Sequence, residues 1–299
     1  MKNTVRTVIS TARPPFLLLT PAVLSLAFAL SYWQQGFIDL QLSLLIFIAA
    51  LSAHISVNAF NEYADFRSGL DFNTHRTPLS GGSGALPNNP AAASAVLLLS
   101  ILSLSITGLI GLYFVFLYGL SLLPLGLVGI LLVISYTKTI THYPWLCLLT
   151  PGLAFGPIFI VGSNLVLTGH YSLLAFITSL PIFFLVNNLL LLNQFPDMDV
   201  DKKFGRHHII IELGLQTSSQ LFSYFNLLAY LTLVLAVLFR QLPDESLLGL
   251  IPAALAVATS LSVRKNYHTI QRLLPAMRWN VMLNLLTPIL MALGLIWSV

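Results

Sequence analysis

The 299-residue sequence predicts an all-α polytopic membrane protein, with nine transmembrane helices around a central cavity, arranged as two related four-helix halves plus a ninth helix. Three observations predict it. Hydrophobic residues make up 57% of the chain and charged residues only 8%, where soluble domains carry about 25% charged residues. Apolar runs recur along the whole length, at or near the roughly 20 residues that cross a bilayer. The basic residues gather in alternate connecting segments, as the positive-inside rule requires.

Taken in order, the runs fall at 15–33, 40–62, 91–116, 119–137, 145–168, 172–195, 218–239, 246–263 and 279–298. The first contains Ala27-Phe28-Ala29, which comes close to a signal-peptide cleavage site, but the run is expected to remain as a first helix. Between the third and fourth runs stands only a short Tyr118-Gly119 connection. Lys2, Arg6 and Arg13, then Arg67 and Arg76, Lys138, Lys202, Lys203 and Arg206, and finally Arg264, Lys265, Arg272 and Arg278 all fall on one side. That leaves Arg240 alone on the other. The expected orientation is N-terminus in and C-terminus out, in a bacterial or archaeal cell membrane. The whole chain, 1–299, reads as a single integral-membrane domain.

The net charge of +4 fits contact with anionic lipid headgroups. No nucleic-acid motif is present and no protein partner is implied. A single cysteine, Cys147, excludes an internal disulfide and a cysteine-based metal site.

Six of the ten acidic residues stand in two short segments. The first, Asn58-Ala-Phe-Asn61-Glu62-Tyr-Ala-Asp65 with Asp71 following, closes the second apolar run. The second, Asn193-Gln-Phe-Pro-Asp197-Met-Asp199-Val-Asp201, closes the sixth, and its amide and carboxylates at i, i+4 and i+8 are expected on one helix face. Asp199 and Glu62 are out of phase with these series. The clusters lie on the same side of the membrane, which would bring them together over a central cavity. Between Asp65 and Pro90 runs the longest segment outside the membrane, with Gly81-Gly82-Ser83-Gly84 in it: a flexible turn, a hinge, or a backbone donor site for phosphate.

Asp and Asn oxygens are hard ligands, and one or two carboxylates plus substrate phosphate oxygens are a common way to hold Mg²⁺. Mn²⁺ suits the same donors. Two such clusters could hold ions bridging a diphosphate, with Arg67, Arg76, Lys138, Lys202 and Arg206 neutralising the diphosphate as it leaves. A secondary transporter is the rival reading, but transport carboxylates tend to lie near the membrane midplane and these close helix ends.

On these motifs the chain resembles the UbiA superfamily of intramembrane prenyltransferases, which carry two Asp-rich motifs over a nine-helix bundle. Asn58 to Asp71, with Gly69 two residues before the last Asp, is most similar to the branch that prenylates 1,4-dihydroxy-2-naphthoate in menaquinone synthesis. Asn193-x-x-x-Asp197-x-x-x-Asp201 with Gly205 resembles the general second motif, and Arg13-Pro14 the Arg-Pro with which many members begin. Three positions depart from the pattern. Glu62 stands where Asp is usual, Gly205-Arg206-His207-His208 replaces Gly-Lys-Arg-Thr, and the segment after Lys138 lacks the usual Gly-Glu.

The resemblance implies transfer of a polyprenyl group from a polyprenyl diphosphate to an aromatic small molecule. The metal would sit on Asn61, Asp65, Asn193, Asp197 and Asp201, the catalytic carboxylates would be Asp65, Asp71 and Asp197, and Asp71 would activate the acceptor or take its proton. Arg13, Asn58, Arg67, Arg76, Lys138, Lys202 and Arg206 would contact substrate. Other acceptors stay open at this point: 4-hydroxybenzoate, homogentisate, haem, chlorophyllide or a glycerol phosphate lipid. His207 and His208 read either as interfacial residues or as phosphate partners.

Overall fold

A computed structural model describes residues 2–299, and the described residues form helices without a strand. An N-terminal helix not expected from the hydropathy, α1 (Lys2–Thr11), precedes α2 (Pro14–Gln35), α3 (Leu40–Ser68) and α4 (Pro90–Tyr118). A short apolar helix, α5 (Leu120–Ser135), is followed by α6 (Pro144–Thr168) and α7 (Leu173–Asn193). Then come a one-turn helix, α8 (Met198–Lys203), and α9 (Ile209–Leu238), α10 (Asp244–Asn266) and α11 (Ile270–Trp297). Eight of these are long and apolar enough to span a membrane, and α5 is the shorter ninth.

Local chemistry sets several boundaries. The Asp39 carboxylate accepts from the backbone N–H groups of Gln41 and Leu42 and starts α3. Ser172 caps α7 in the same way. The seventh membrane run starts earlier than the hydropathy suggests, at Ile209, because a mostly apolar turn of helix, Ile209–Leu213, precedes a break at Gly214, whose φ of 77° is outside the helical range.

The bundle is tight on the side of α6, α7, α9 and α11. A Cβ on Gly152 would overlap the Phe183 carbonyl and Asn187, whose Oδ1 instead accepts from the Gly152 N–H at 2.8 Å. Asn188 donates to the Phe222 carbonyl and to Asn226, and Asn280 donates to the Asn188 carbonyl. Buried amides of this kind pair between helices because lipid offers them no partner. By contrast, the core of α5, Leu123–Ser135, has no fully buried residue, and Leu127, Leu131 and Ile134 are exposed. That helix forms one wall of the central cavity through Gly126, Gly129 and Ile130. Exposed apolar residues such as Leu109, Phe116 and Leu238 give the bundle a lipid-compatible exterior.

Candidate active site

A cavity of about 480 Å³ runs into the bundle, and both acidic segments stand at its polar end. Asn58, Asn61, Asp65, Asp71, Asn193, Asp197 and Asp201 all line it. Beyond them the lining is mostly hydrocarbon, with Ile46, Leu104, Leu112 and Phe159 among its residues and His54, Thr107 and Ser163 as polar exceptions.

The first segment behaves as the spacing predicts. It occupies the last turns of α3, where Asn61 Nδ2 donates to Asp65 Oδ2 at 3.0 Å. Gly69, at φ 85°, ends the helix and turns the chain so that Leu70–Phe72 presents a buried Asp71 to the same cavity. The second segment needs a correction. It is not one helix face: α7 stops at Asn193, a turn carries Gln194 to Asp197, and α8 starts at Met198. Pro196 explains the break, since it lacks an N–H and disfavours helical backbone at the residue before it. Asp197 and Asp201 still meet the cavity because the one-turn helix restores the i, i+4 relation.

Arg206 joins the two segments. Its guanidinium pairs with Asp65 and, at 3.1 Å, with Asp201 Oδ1. Burial opposes its charge, but Asp65 and Asp201 outweigh burial and raise its pKa above the ordinary arginine value. His208, 2% exposed, sits 3.1 Å from Asp201 Oδ2 through Nε2. The carboxylate only accepts there, so Nε2 carries the proton. His207 is half exposed and pairs with Glu212 on the surface.

Glu62 stands apart from the metal-type donors. Fully buried, it accepts from Arg13 Nε at 2.7 Å, from the Ser83 N–H at 2.7 Å and from the Ser83 hydroxyl at 2.6 Å. This three-way tie folds the glycine-containing segment over the polar end. Gly82 has φ 73°, and a Cβ there would come within 3.1 Å of Asp71 Oδ1 and 3.2 Å of Glu62 Oε1. Gly81 and Gly82 line the cavity together with Asp197. The segment is therefore an ordered cover tied to the first motif.

Of the cations expected at the substrate, the fold brings Arg13 and Arg206 to the cavity. Arg67, Arg76, Lys138 and Lys202 are exposed and do not line it, and Arg76 donates to the Asp71 carbonyl. Asn58 lines the cavity but spends its amide N–H on the Ala12 carbonyl. Asp199 is exposed, as its phase predicts. Sequence reasoning missed the joint role of Glu62, Arg13 and Ser83, and the available signal was an acid out of phase with its neighbours beside an otherwise unexplained Gly-Gly-Ser-Gly run.

The donor set fits a divalent cation. Two buried carboxylate oxygens, Asp71 Oδ2 and Asp197 Oδ1, have no hydrogen-bond partner among the described residues. Burial, then Glu62 and Asp65, push the Asp71 carboxyl up to about 7, and burial, then Asp201, does the same to Asp197. Unpaired buried carboxylates are costly unless a cation or proton meets them. Among the described residues no three His, Cys, Asp or Glu side chains are grouped closely enough to hold an ion alone. A Mg²⁺ ion there would keep waters of its own and share substrate phosphate oxygens.

The UbiA prenyltransferase family profile matches residues 22–295. A 1,4-dihydroxy-2-naphthoate octaprenyltransferase of Bacillus subtilis (strain 168) is 30% identical over 217 residues, which are 72% of this chain and 67% of that one. Among solved structures, digeranylgeranylglyceryl phosphate synthase superposes with a TM-score of 0.69 at 17% identity, covering 99% of this chain and 100% of that one. A UbiA homologue of Archaeoglobus fulgidus bound to DMAPP and Mg²⁺ superposes with a TM-score of 0.66 at 13% identity, covering 98% and 100%. The two structures share the fold, and the extent of the family match gives the wider conclusion: this chain belongs to the UbiA prenyltransferase family.

Proposed function

We propose that this prenyltransferase moves a polyprenyl group from a polyprenyl diphosphate to 1,4-dihydroxy-2-naphthoate or a related quinone precursor, with Mg²⁺ as cofactor. One observation carries the reading: a single cavity has carboxylates, amides and arginines at one end and mostly hydrocarbon along the rest. A ligand with a charged head and an isoprenoid tail is what such a cavity fits. The naphthoate octaprenyltransferase relative supports the acceptor class, and the DMAPP and Mg²⁺ in the Archaeoglobus fulgidus homologue support the donor and the metal.

In this reading Asn61, Asp65, Asn193, Asp197 and Asp201 would hold the metal. A bound divalent cation would supply stabilisation of the negative charge that develops on the departing diphosphate. Arg206 holds Asp65 and Asp201 together, and an incoming diphosphate offers oxygens that compete with them for its guanidinium. Arg13, anchored by Glu62 at the cavity edge, is the second cation within reach. The covering segment at Gly81 and Gly82 limits water at the polar end, where a water molecule would otherwise capture the allylic cation.

The chemistry is an electrophilic aromatic substitution. The allylic C–O bond breaks with its electron pair leaving on the diphosphate. A π pair of the acceptor ring forms the new C–C bond, and the ring regains aromaticity by losing a proton. Asp71, with a free buried oxygen, is the residue assigned to receive that proton or to activate the acceptor.

Membranes containing the protein, incubated with Mg²⁺, labelled polyprenyl diphosphate and a panel of acceptors, test this by mass spectrometry of the lipid-soluble product. The panel holds naphthoate, 4-hydroxybenzoate, homogentisate and a glycerol phosphate lipid. Product from 1,4-dihydroxy-2-naphthoate that EDTA abolishes is the expected result. Product from another acceptor alone would move the assignment to that acceptor.

A further inference from the structure

Asp65, Asn61, Asn58 and His54 follow one another down α3 at intervals of four, three and four residues, and all four line the cavity. The upper three serve the polar end. His54 lies about 10 Å deeper than Asn61 at the helical rise of 1.5 Å per residue, where the lining turns to Ile46, Ala50, Phe155 and Phe159.

Its ring is fixed on two sides. Nδ1 is 2.9 Å from Thr20 Oγ1 on α2. The ring packs almost perpendicular to Phe155, with centroids 4.9 Å apart and an interplanar angle of 76°. Phe155 belongs to the widened turn Ala154–Ile158 that Pro157 interrupts in α6, and such turns are frequent at functional sites. Thr20 is completely buried and does not line the cavity, so the nitrogen turned away from it, Nε2, is the one directed toward the open space. Nε2 has no hydrogen-bond partner among the described residues, although His54 is only 6% exposed.

We infer that His54 is a specificity-determining residue that hydrogen bonds a ring hydroxyl of the aromatic acceptor through Nε2. The inference rests on the aromatic prenylation proposed above. An isoprenoid tail has no polar atom beyond its diphosphate, so the tail alone leaves Nε2 unpaired in a hydrocarbon wall, which is costly in a membrane interior. A hydroxylated ring meets the nitrogen whether Nε2 donates or accepts, since a hydroxyl does both. Quinone precursors with hydroxyls on opposite sides of the ring would face the carboxylates with one and His54 with the other. The Thr20 and Phe155 contacts fix the imidazole before the acceptor arrives, so little ordering is left for binding.

The test uses the full chain in membranes, with the acceptor and the prenyl diphosphate titrated separately. His54→Leu should lower kcat/KM for the acceptor about 10- to 100-fold, the loss typical of a site that hydrogen bonds a substrate hydroxyl, and leave the KM for prenyl diphosphate within about twofold. His54→Gln, which keeps a polar group at that depth, should recover most of the loss. Methylating one acceptor hydroxyl should cost the wild type a similar factor and His54→Leu almost nothing further, the non-additivity expected of direct partners. Thr20→Val, which frees the ring but retains Nε2, should show a smaller loss confined to the acceptor, and it carries the test if His54→Leu does not fold. Equal effects on both substrates, or an undiminished methylation penalty in His54→Leu, would overturn the inference and leave aromatic prenylation standing. Failure of wild-type protein to prenylate any aromatic acceptor would overturn both.

Discussion

The two acidic motifs carry similar residues in different mechanical settings. The first is the end of a continuous membrane helix, where the Ala12 carbonyl holds Asn58 and Arg13 and Ser83 hold Glu62. The second lies past a helix end broken at Pro196, on a turn and a one-turn helix with little rigidity of its own. Its position is borrowed: Asp201 is held by His208 and by Arg206, which also pairs with Asp65 of the first motif. One motif is scaffolded by secondary structure and the other by contacts with the first. The two halves are therefore coupled, and damage to the links should be felt mainly in the second.

The largest expected effect is loss of the donor oxygens themselves. Asp65→Ala and Asp197→Ala should each reduce turnover about a thousandfold or more, the scale of removing preorganised charge stabilisation, with expression and folding retained. Product formation alongside thermal unfolding in detergent reads both, and near-wild-type activity in either variant would remove that residue from the metal set.

Arg206→Gln comes next. It leaves two carboxylates without their shared cation, and removing one partner of a buried pair costs about 3–5 kcal/mol. A clear drop in unfolding temperature should follow, and Mg²⁺ should restore part of it, because a cation can replace the missing charge between Asp65 and Asp201. No Mg²⁺ rescue would mean that those carboxylates do not meet the metal.

A smaller effect follows from protonation. Asp71 and Asp197 titrate near 7 in the fold, above an ordinary carboxylate value of about 4. The folded protein therefore binds these protons more tightly than the unfolded chain. Their contribution to stability falls as pH rises from about 4 to about 7, while the charged oxygens become available to a cation. The Mg²⁺-induced rise in unfolding temperature should accordingly grow between pH 6 and pH 8, and a pH-independent rise would contradict it. Smallest of all, Lys138→Ala and Lys202→Ala should change kcat/KM by no more than about twofold, because both side chains are exposed and away from the cavity.

Much of this was legible in the sequence for identifiable reasons. Hydropathy gives membrane runs because a spanning helix must satisfy its backbone internally and present apolar side chains to lipid. Asn61 and Asp65 were legible because a continuous helix converts spacing directly into a shared face. Asp197 and Asp201 were legible as donors but not in their conformation, since the sequence pattern ignored what Pro196 does to the turn. The cations were the least legible. Charge type does not tell whether an arginine points into a cavity, like Arg206, or stays out of it, like Arg76, when both lie in connecting segments. Nor does spacing reveal a long-range tie such as that of Arg13 to Glu62, which depends on how α2 docks against α3.

The measurement that tests the coupled site most directly is a double-mutant cycle in prenyl diphosphate binding with Mg²⁺, comparing Asp65→Ala, Asp197→Ala and the double variant. If the motifs form one site, each single change should abolish most of the Mg²⁺-dependent affinity and the double variant should bind scarcely more weakly than either. Losses that simply add would show two motifs acting independently and would contradict the account.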